Sequence, residues 1–386
     1  MRRASFFGAV FLIAVLVFTS SVMAQVPEIN GKAAILIDAR SGMVFYEKNS
    51  EQPLPMASVT KMMTLTLILE AVAAEKISLD DIVSVSPYAA SIMGTHVWLE
   101  PGEQFPLREL VYAIAVGSAN DASVAVAEYI AGSEQAFVKQ MNKRAKELGL
   151  ESTIFANSSG LPVADGSPHA MSAKDAAKLA QHVINVPLMM DFVSTYEYTM
   201  RKDGSQRPQL WNYNRLLRRY QGVDGIKTGF TSEAGYCIVA TAQRDGLRLI
   251  CVVFGSETEA DRENDVRTLL DYGFRKYRNY TVHTQGEEID TVILKKAVPE
   301  QVKIVLAEDL NVTIERGEEK QVETKYILKE NIEFPLMPGE SIGEINGYLN
   351  EQKLGSANLT VTSEIKRAGF FTLVFRMMRS IIQVVQ

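Results

Sequence analysis

Cysteine and histidine are scarce in this sequence, with two of the first and four of the second in 386 residues. His96, His169, His182 and His283 show no metal-ligand spacing, so no zinc site is expected and no cofactor is implied. A basic excess is also missing. Forty Lys+Arg against 46 Asp+Glu leave a net charge of −6, with no surplus to neutralise phosphates, which argues against nucleic acid as a partner. Long apolar runs are few as well: Phe6 to Phe18 falls short of the ~20 residues that a helical membrane span needs.

The charge is unevenly placed. Residues 1–24 carry only Arg2 and Arg3, residues 366–386 carry Lys366, Arg367, Arg376 and Arg379, and neither stretch contains an acid. An acidic body therefore lies between two cationic, apolar ends. Met1-Arg2-Arg3, the apolar run and Val22-Met23-Ala24 read as the three parts of a cleaved secretory signal, which would send the protein across the cytoplasmic membrane. At the other end, a 100° wheel gathers Thr372, Arg376, Arg379, Ser380 and Gln383 into one narrow arc and gives the rest of the circumference to Phe, Leu, Val, Met and Ile. A wide apolar face with a cationic stripe is the pattern of a helix lying in a membrane interface. The competing reading is a helix docked on the protein or on a partner helix.

Cys237 and Cys251 lie in two strand-like runs, Tyr236 to Gln243 and Leu247 to Phe254, joined by the hairpin signal Asp245-Gly246. Pairing Arg244 with Leu247 sets Cys237 opposite Phe254 and Cys251 opposite Ala240, on opposite faces of the sheet, so both are expected as buried free thiols. Another hairpin is expected from Ala33 to Asp38 and Met43 to Glu47. Helical patterns cover Ser58 to Ala74, Leu107 to Val116, Ala122 to Ala131, Glu134 to Leu148, Ser172 to Val183 and Ala260 to Tyr277, with a further strand at Gly222 to Lys227. Strands at both ends of a helical stretch predict an α+β domain whose sheet is closed by its two termini. From Thr281 to Thr362 short Val/Ile/Leu runs alternate with Gly, Asn, Pro and Glu, which predicts a small all-β domain.

Three short motifs could carry chemistry. Ser58-Val59-Thr60-Lys61 opens a predicted helix, where residues three apart share a face and the Lys61 amine can reach the Ser58 hydroxyl. Such a lysine serves as a base only when neutral, which burial and a second cation achieve. Ser118-x-Asn120 lies in the break Gly117-Ser118-Ala119-Asn120 between two helices, and Lys227-Thr228-Gly229 lies on a strand. The first two patterns recur at Ser363 to Lys366 and Ser356 to Asn358, so what distinguishes the set is its order within one α+β domain.

With these motifs, Asn157-Ser158-Ser159-Gly160-Leu161-Pro162 and Gly225-Ile226-Lys227-Thr228-Gly229-Phe230-Thr231, the sequence resembles the serine penicillin-binding and β-lactamase superfamily. Within it, the resemblance is to the D-alanyl-D-alanine carboxypeptidases of the serine peptidase S11 type, among the low-molecular-mass penicillin-binding proteins. The resemblance implies Ser58 as the acylated nucleophile and Lys61 as its base. Ser118 would relay a proton to the leaving D-alanine, and Asn120 would orient the substrate and Lys61. Lys227 would keep the site cationic and, with Thr228, Gly229 and Arg262, bind the substrate's terminal carboxylate. The backbone N–H groups of Ser58 and Phe230 would form the oxyanion hole. Composition alone reads Arg262 as a surface residue in the first turn of a helix.

The implied partners are peptidoglycan stem peptides ending in D-Ala-D-Ala, β-lactams and, through residues 366–386, the membrane surface. The implied location is the periplasm or the outer face of the cytoplasmic membrane. The implied division is a signal at 1–24, a catalytic domain at 25–278, a small β domain at 279–365 and an anchor at 366–386. A DD-endopeptidase, a β-lactamase and a non-catalytic peptidoglycan-binding protein are the alternatives. The class A lactamase segment E-x-x-L-N is missing between Ser118 and Lys227, and neither nucleophile nor base is lost.

Overall fold

A computed structural model describes residues 26–163, 166–201 and 208–385, with the side chains beyond Met378 left aside. The proposed signal segment lies outside the described residues. The first sheet is antiparallel in the order β2-β1-β5-β4-β3, built from β1 (Ala33–Asp38), β2 (Val44–Lys48), β3 (Val223–Thr231), β4 (Gly235–Arg244) and β5 (Leu247–Ser256). The first and last parts of this α+β region thus supply neighbouring strands, as the order of the elements predicts.

Strand β1 is buried along its whole length because the sheet is covered on both faces. Ala33, Ile35 and Ile37 face the core built with α1 (Lys61–Ala73), α2 (Leu107–Ala115), α3 (Asn120–Ala131), α4 (Glu134–Glu147) and α5 (Ala173–Val183). Ala34 and Leu36 face the core shared with α6 (Glu259–Lys276). The Asp245-Gly246 turn has both residues at positive φ, as its hairpin type requires, and Arg244 pairs with Leu247. Cys251 stands opposite Ala240, but a bulge between Tyr236 and Ile238 takes Cys237 out of register with Phe254. The thiols still fall in the two separate cores and are both free and buried.

Local boundaries differ from the periodicity at two helix starts. Residues Ala57–Thr60 form a 3-10 turn and the α-helix starts only at Lys61, while α3 begins at Asn120 rather than Ala122. Two short strand pairs, Ile82–Ser84 with Gln104–Pro106 and Glu197–Thr199 with Gln209–Trp211, are too brief to leave a pattern in the sequence.

Helix α6 passes directly into β6 (Tyr277–His283), which starts the small β region. Its main sheet has the order β7-β9-β13-β12-β11, from β7 (Glu288–Ile293), β9 (Gln301–Leu306), β11 (Glu323–Leu328), β12 (Gly343–Leu349) and β13 (Gln352–Val361). Strand β6 pairs with β10 (Leu310–Glu315), and β8 (Ala297–Val298) pairs with β14 (Lys366–Arg367), just before α7 (Phe370–Val385). A separate core of Val302, Ile304, Leu306, Ile345, Leu359 and their neighbours holds this region.

Candidate active site

Backbone geometry brings the first pair together. In the 3-10 turn, residues three apart eclipse, so Ser58 and Lys61 stack and Lys61 Nζ lies 3.0 Å from Ser58 Oγ. Lys61 is fully buried. Its amine also donates to Asn120 Oδ1 at 2.7 Å and to the Ser159 carbonyl at 2.6 Å. Both of these oxygens can only accept. Two N–H bonds of a neutral amine are therefore committed to them, and its lone pair is left for the Ser58 hydroxyl. Burial, then the Lys227 charge, push the Lys61 amine well below its ordinary value, with Asp121 opposing them.

The second pair is Ser118 and Lys227. Ser118 has φ 56° in the tight link between α2 and α3, a conformation uncommon for a non-glycine residue and frequent at functional sites. Lys227 Nζ, buried on β3, donates to Ser118 Oγ at 3.0 Å and to the Thr228 carbonyl at 3.1 Å. Burial and the neighbouring Arg262 charge bring its amine down to about 7.

Gly229 lets β3 approach Ser58. A Cβ there would lie 2.8 Å from the Met56 carbonyl oxygen and 2.9 Å from the Ser58 nitrogen. A cleft of about 300 Å³ opens beside it, lined by Ser58, Ser118, Thr228, Gly229, Phe230 and Arg262 among others. Phe230 is half exposed, on the wall of this cleft.

Arg262 corrects the compositional expectation of a surface residue. Thr258 caps α6, its hydroxyl accepting from the Asp261 nitrogen at 3.0 Å, and this sets Arg262 on the side turned to the sheet. The guanidinium is only 3% exposed, pairs with Glu259 at 3.2 Å, and keeps a buried Nε with no hydrogen-bond partner among the described residues.

Sequence reasoning missed the supports. Asn120 Nδ2 donates to the Met93 carbonyl at 2.9 Å, which turns Oδ1 toward Lys61. Asp121 accepts from the Val97, Leu99 and Ala122 nitrogens and so pins the 97–99 loop to α3. Glu134 accepts from the Ser158 nitrogen and hydroxyl at 3.0 and 2.8 Å, fixing the loop that presents the Ser159 carbonyl. His169 ties the same parts together. Its Nδ1 accepts from the Ala156 nitrogen at 3.0 Å, which leaves the proton on Nε2 for Thr60 Oγ1 at 2.8 Å. Burial and the Lys61 charge hold it down to about 4. No spacing rule could have found the contacts of Asp121, Glu134 and His169, because each acts on a segment remote in sequence.

Comparison with known proteins identifies the family. Residues 20–258 match Peptidase S11, D-alanyl-D-alanine carboxypeptidase, and residues 277–367 match the penicillin-binding protein 5 C-terminal domain. The chain is 38% identical over 348 residues to D-alanyl-D-alanine carboxypeptidase DacF of Bacillus subtilis (strain 168), covering 90% of this chain and 89% of that protein. With DacC of Escherichia coli (strain K12) it shares 35% identity over 374 residues, 95% of this chain and 92% of the relative. Penicillin-binding protein 5 from Haemophilus influenzae superposes with a TM-score of 0.72 at 32% identity, over 88% of this chain and 98% of that one. Penicillin-binding protein D2 from Listeria monocytogenes, in its ampicillin-bound form, gives a TM-score of 0.58 at 33% identity over 64% and 98%. With half its length and more inside the first of these matches, the chain belongs to the D-alanyl-D-alanine carboxypeptidase family, Peptidase S11.

Proposed function

We propose that Ser58 carries the carboxypeptidase reaction on peptidoglycan stem peptides ending in D-Ala-D-Ala. Neutral Lys61 takes the Ser58 proton as Oγ attacks the carbonyl carbon of the penultimate D-alanine. The N–H groups of Ser58 and Phe230 receive the developing oxyanion. Ser118, which accepts its hydrogen bond from Lys227, relays the proton taken up by Lys61 to the departing amine, so the C–N bond breaks, D-alanine leaves and Lys61 is neutral again. Water, deprotonated by Lys61, then hydrolyses the acyl ester and restores Ser58. Asn120 orients Lys61 and the substrate's peptide group. Lys227, Thr228, Gly229 and Arg262 take the terminal carboxylate, the last three from the wall of the cleft.

The observation that carries this reading is the buried Lys61 amine, held by two acceptor-only oxygens 3.0 Å from Ser58 Oγ. A β-lactam presents a reactive amide to the same nucleophile and would acylate it. Intact-mass measurement after exposure to benzylpenicillin, with Ser58→Ala alongside, tests the assignment. A persistent drug-sized adduct on the native chain alone, together with release of D-alanine from a D-Ala-D-Ala tripeptide, is expected. An adduct on the alanine variant, or none on either, overturns it.

Division into a signal at 1–24, a catalytic domain at 25–278, a small β domain at 279–365 and an anchor at 366–386 belongs to the same proposal, with work outside the cytoplasm and attachment to the membrane surface. Among the described residues no helix is long and apolar enough to cross a membrane. Supporting attachment, Phe370, Phe371, Phe375 and Met378 of α7 are each more than half exposed. Loss of membrane retention on deleting 366–386 is expected, and unchanged retention would sink the anchor.

A further inference from the structure

Strand direction separates two ends of the small β region. Near the catalytic region, Arg40 and Ser41 share a cleft with Glu308, Asp309 and Lys353. Strand β9 ends and β13 begins there, so β7, β11 and β13 all run away from it in their antiparallel sheet. Their far ends lead into residues 294–296, 329–342 and 362–365, which converge on the start of α7.

The helix is fastened to that far end by its polar edge. The Ala368 nitrogen donates to the Lys296 carbonyl at 2.8 Å. Arg376 donates to the Lys295 and Ala297 carbonyls at 2.9 and 2.8 Å and pairs with Glu300 at 3.2 Å. Docking and membrane attachment are therefore compatible, since Arg376 meets the domain and Phe370, Phe371 and Phe375 turn outward. The same end exposes Ile293, Val298 and Met337. Beside it runs an open groove of about 640 Å³, with Ile293, Ile332 and Phe334 as apolar floor and Lys295, Lys296 and Arg367 as cations. Those three are exposed and form no ion pair among the described residues. Glu330 and Glu333 also line it.

We propose that the far end of the small β region is itself a membrane-contact surface, and that its groove takes the headgroup of an anionic phospholipid of the phosphatidylglycerol type. The phosphate meets Lys295, Lys296 and Arg367, the headgroup hydroxyls donate to Glu330 or Glu333, and the apolar floor meets the glycerol and upper acyl carbons. This rests on the anchoring proposed above. Because Arg376 fixes the helix against the groove, lipid contact at both would hold the whole chain in one orientation above the bilayer.

The test is flotation of the purified chain with vesicles of phosphatidylcholine alone and with one third phosphatidylglycerol. Expected is binding to both, at least ~10-fold tighter with phosphatidylglycerol. The variant K295A/K296A/R367A keeps binding to neutral vesicles and penicillin acylation but loses that gain. Lys353→Ala, at the near end, keeps it, and F371S/F375S loses binding to both vesicles. Retention of the gain in the triple variant, or its equal loss in Lys353→Ala, overturns the groove and leaves the anchor standing. Failure of the native chain to bind either vesicle overturns the anchor and the groove with it.

Discussion

Lys61, Lys227 and Arg262 in the cleft and Lys295, Lys296 and Arg367 beside α7 are the same residue types put to opposite uses. The first three are at most 3% exposed, and the last three stand in solvent. Burial penalises charge, and each cleft cation raises that penalty for the next: Arg262 depresses Lys227, and Lys227 depresses Lys61. The outcome is an amine that can act as a base. Hydrated cations at the far end act over a Debye length, which suits attraction to a surface and not proton transfer. Burial, more than residue identity, decides which chemistry a lysine performs.

The largest expected effect attacks the buried set. Lys61→Ala should slow penicillin acylation by at least ~10³-fold, followed by intact mass, and Lys61→Arg should not rescue it because a guanidinium stays protonated. Gly229→Ala drives a Cβ into the Met56 carbonyl and the Ser58 nitrogen. About 10²-fold in acylation and roughly 1–3 kcal/mol of stability should be lost, read by kinetics and calorimetry on one sample.

Arg262→Gln sharpens the comparison by removing one cation from the chain of three. The Lys227 amine should rise from about 7, moving the pH profile of kcat/KM upward. KM should rise ~10-fold or more for a peptide with a free terminal carboxylate, and hardly at all for its amide.

A buried neutral base should show the same penalty in stability. Since the folded His169 value is about 4 against an ordinary 6.5, the unfolded chain binds the proton first as pH falls. Stability should therefore drop between pH 6.5 and 4, approaching about 3 kcal/mol, and His169→Gln should flatten that slope in urea titrations. At the other extreme, Lys303 on the surface of β9 pairs with Glu288 at 2.8 Å while both stand largely in water. Lys303→Ala should leave the melting midpoint unchanged within error.

Most elements were legible because apolar spacing reports burial directly. The two hairpins, the six long helices and the change to short strands after α6 all carry a period. Cys237 shows where this stops: a bulge has no periodic signature, so the register drifts while the face is kept. Of the candidate site, the motifs were visible and Arg262 was not visible by composition, since nothing local distinguishes a first-turn arginine that faces solvent from one that faces a cleft.

What the sequence determined by itself was short-range: Ser58 and Lys61 meet because one helical turn spans three residues, and Asp245-Gly246 closes its hairpin because both residues accept positive φ. Only the tertiary structure decided that Asn120, 59 residues away, and Ser159, 98 away, hold the Lys61 amine, or that Arg376 turns inward against Glu300. Spacing along a chain is set by bond geometry and can be read from the letters. Desolvation and the field at a buried amine are sums over every segment packed around it, and those sums exist only once the chain has folded.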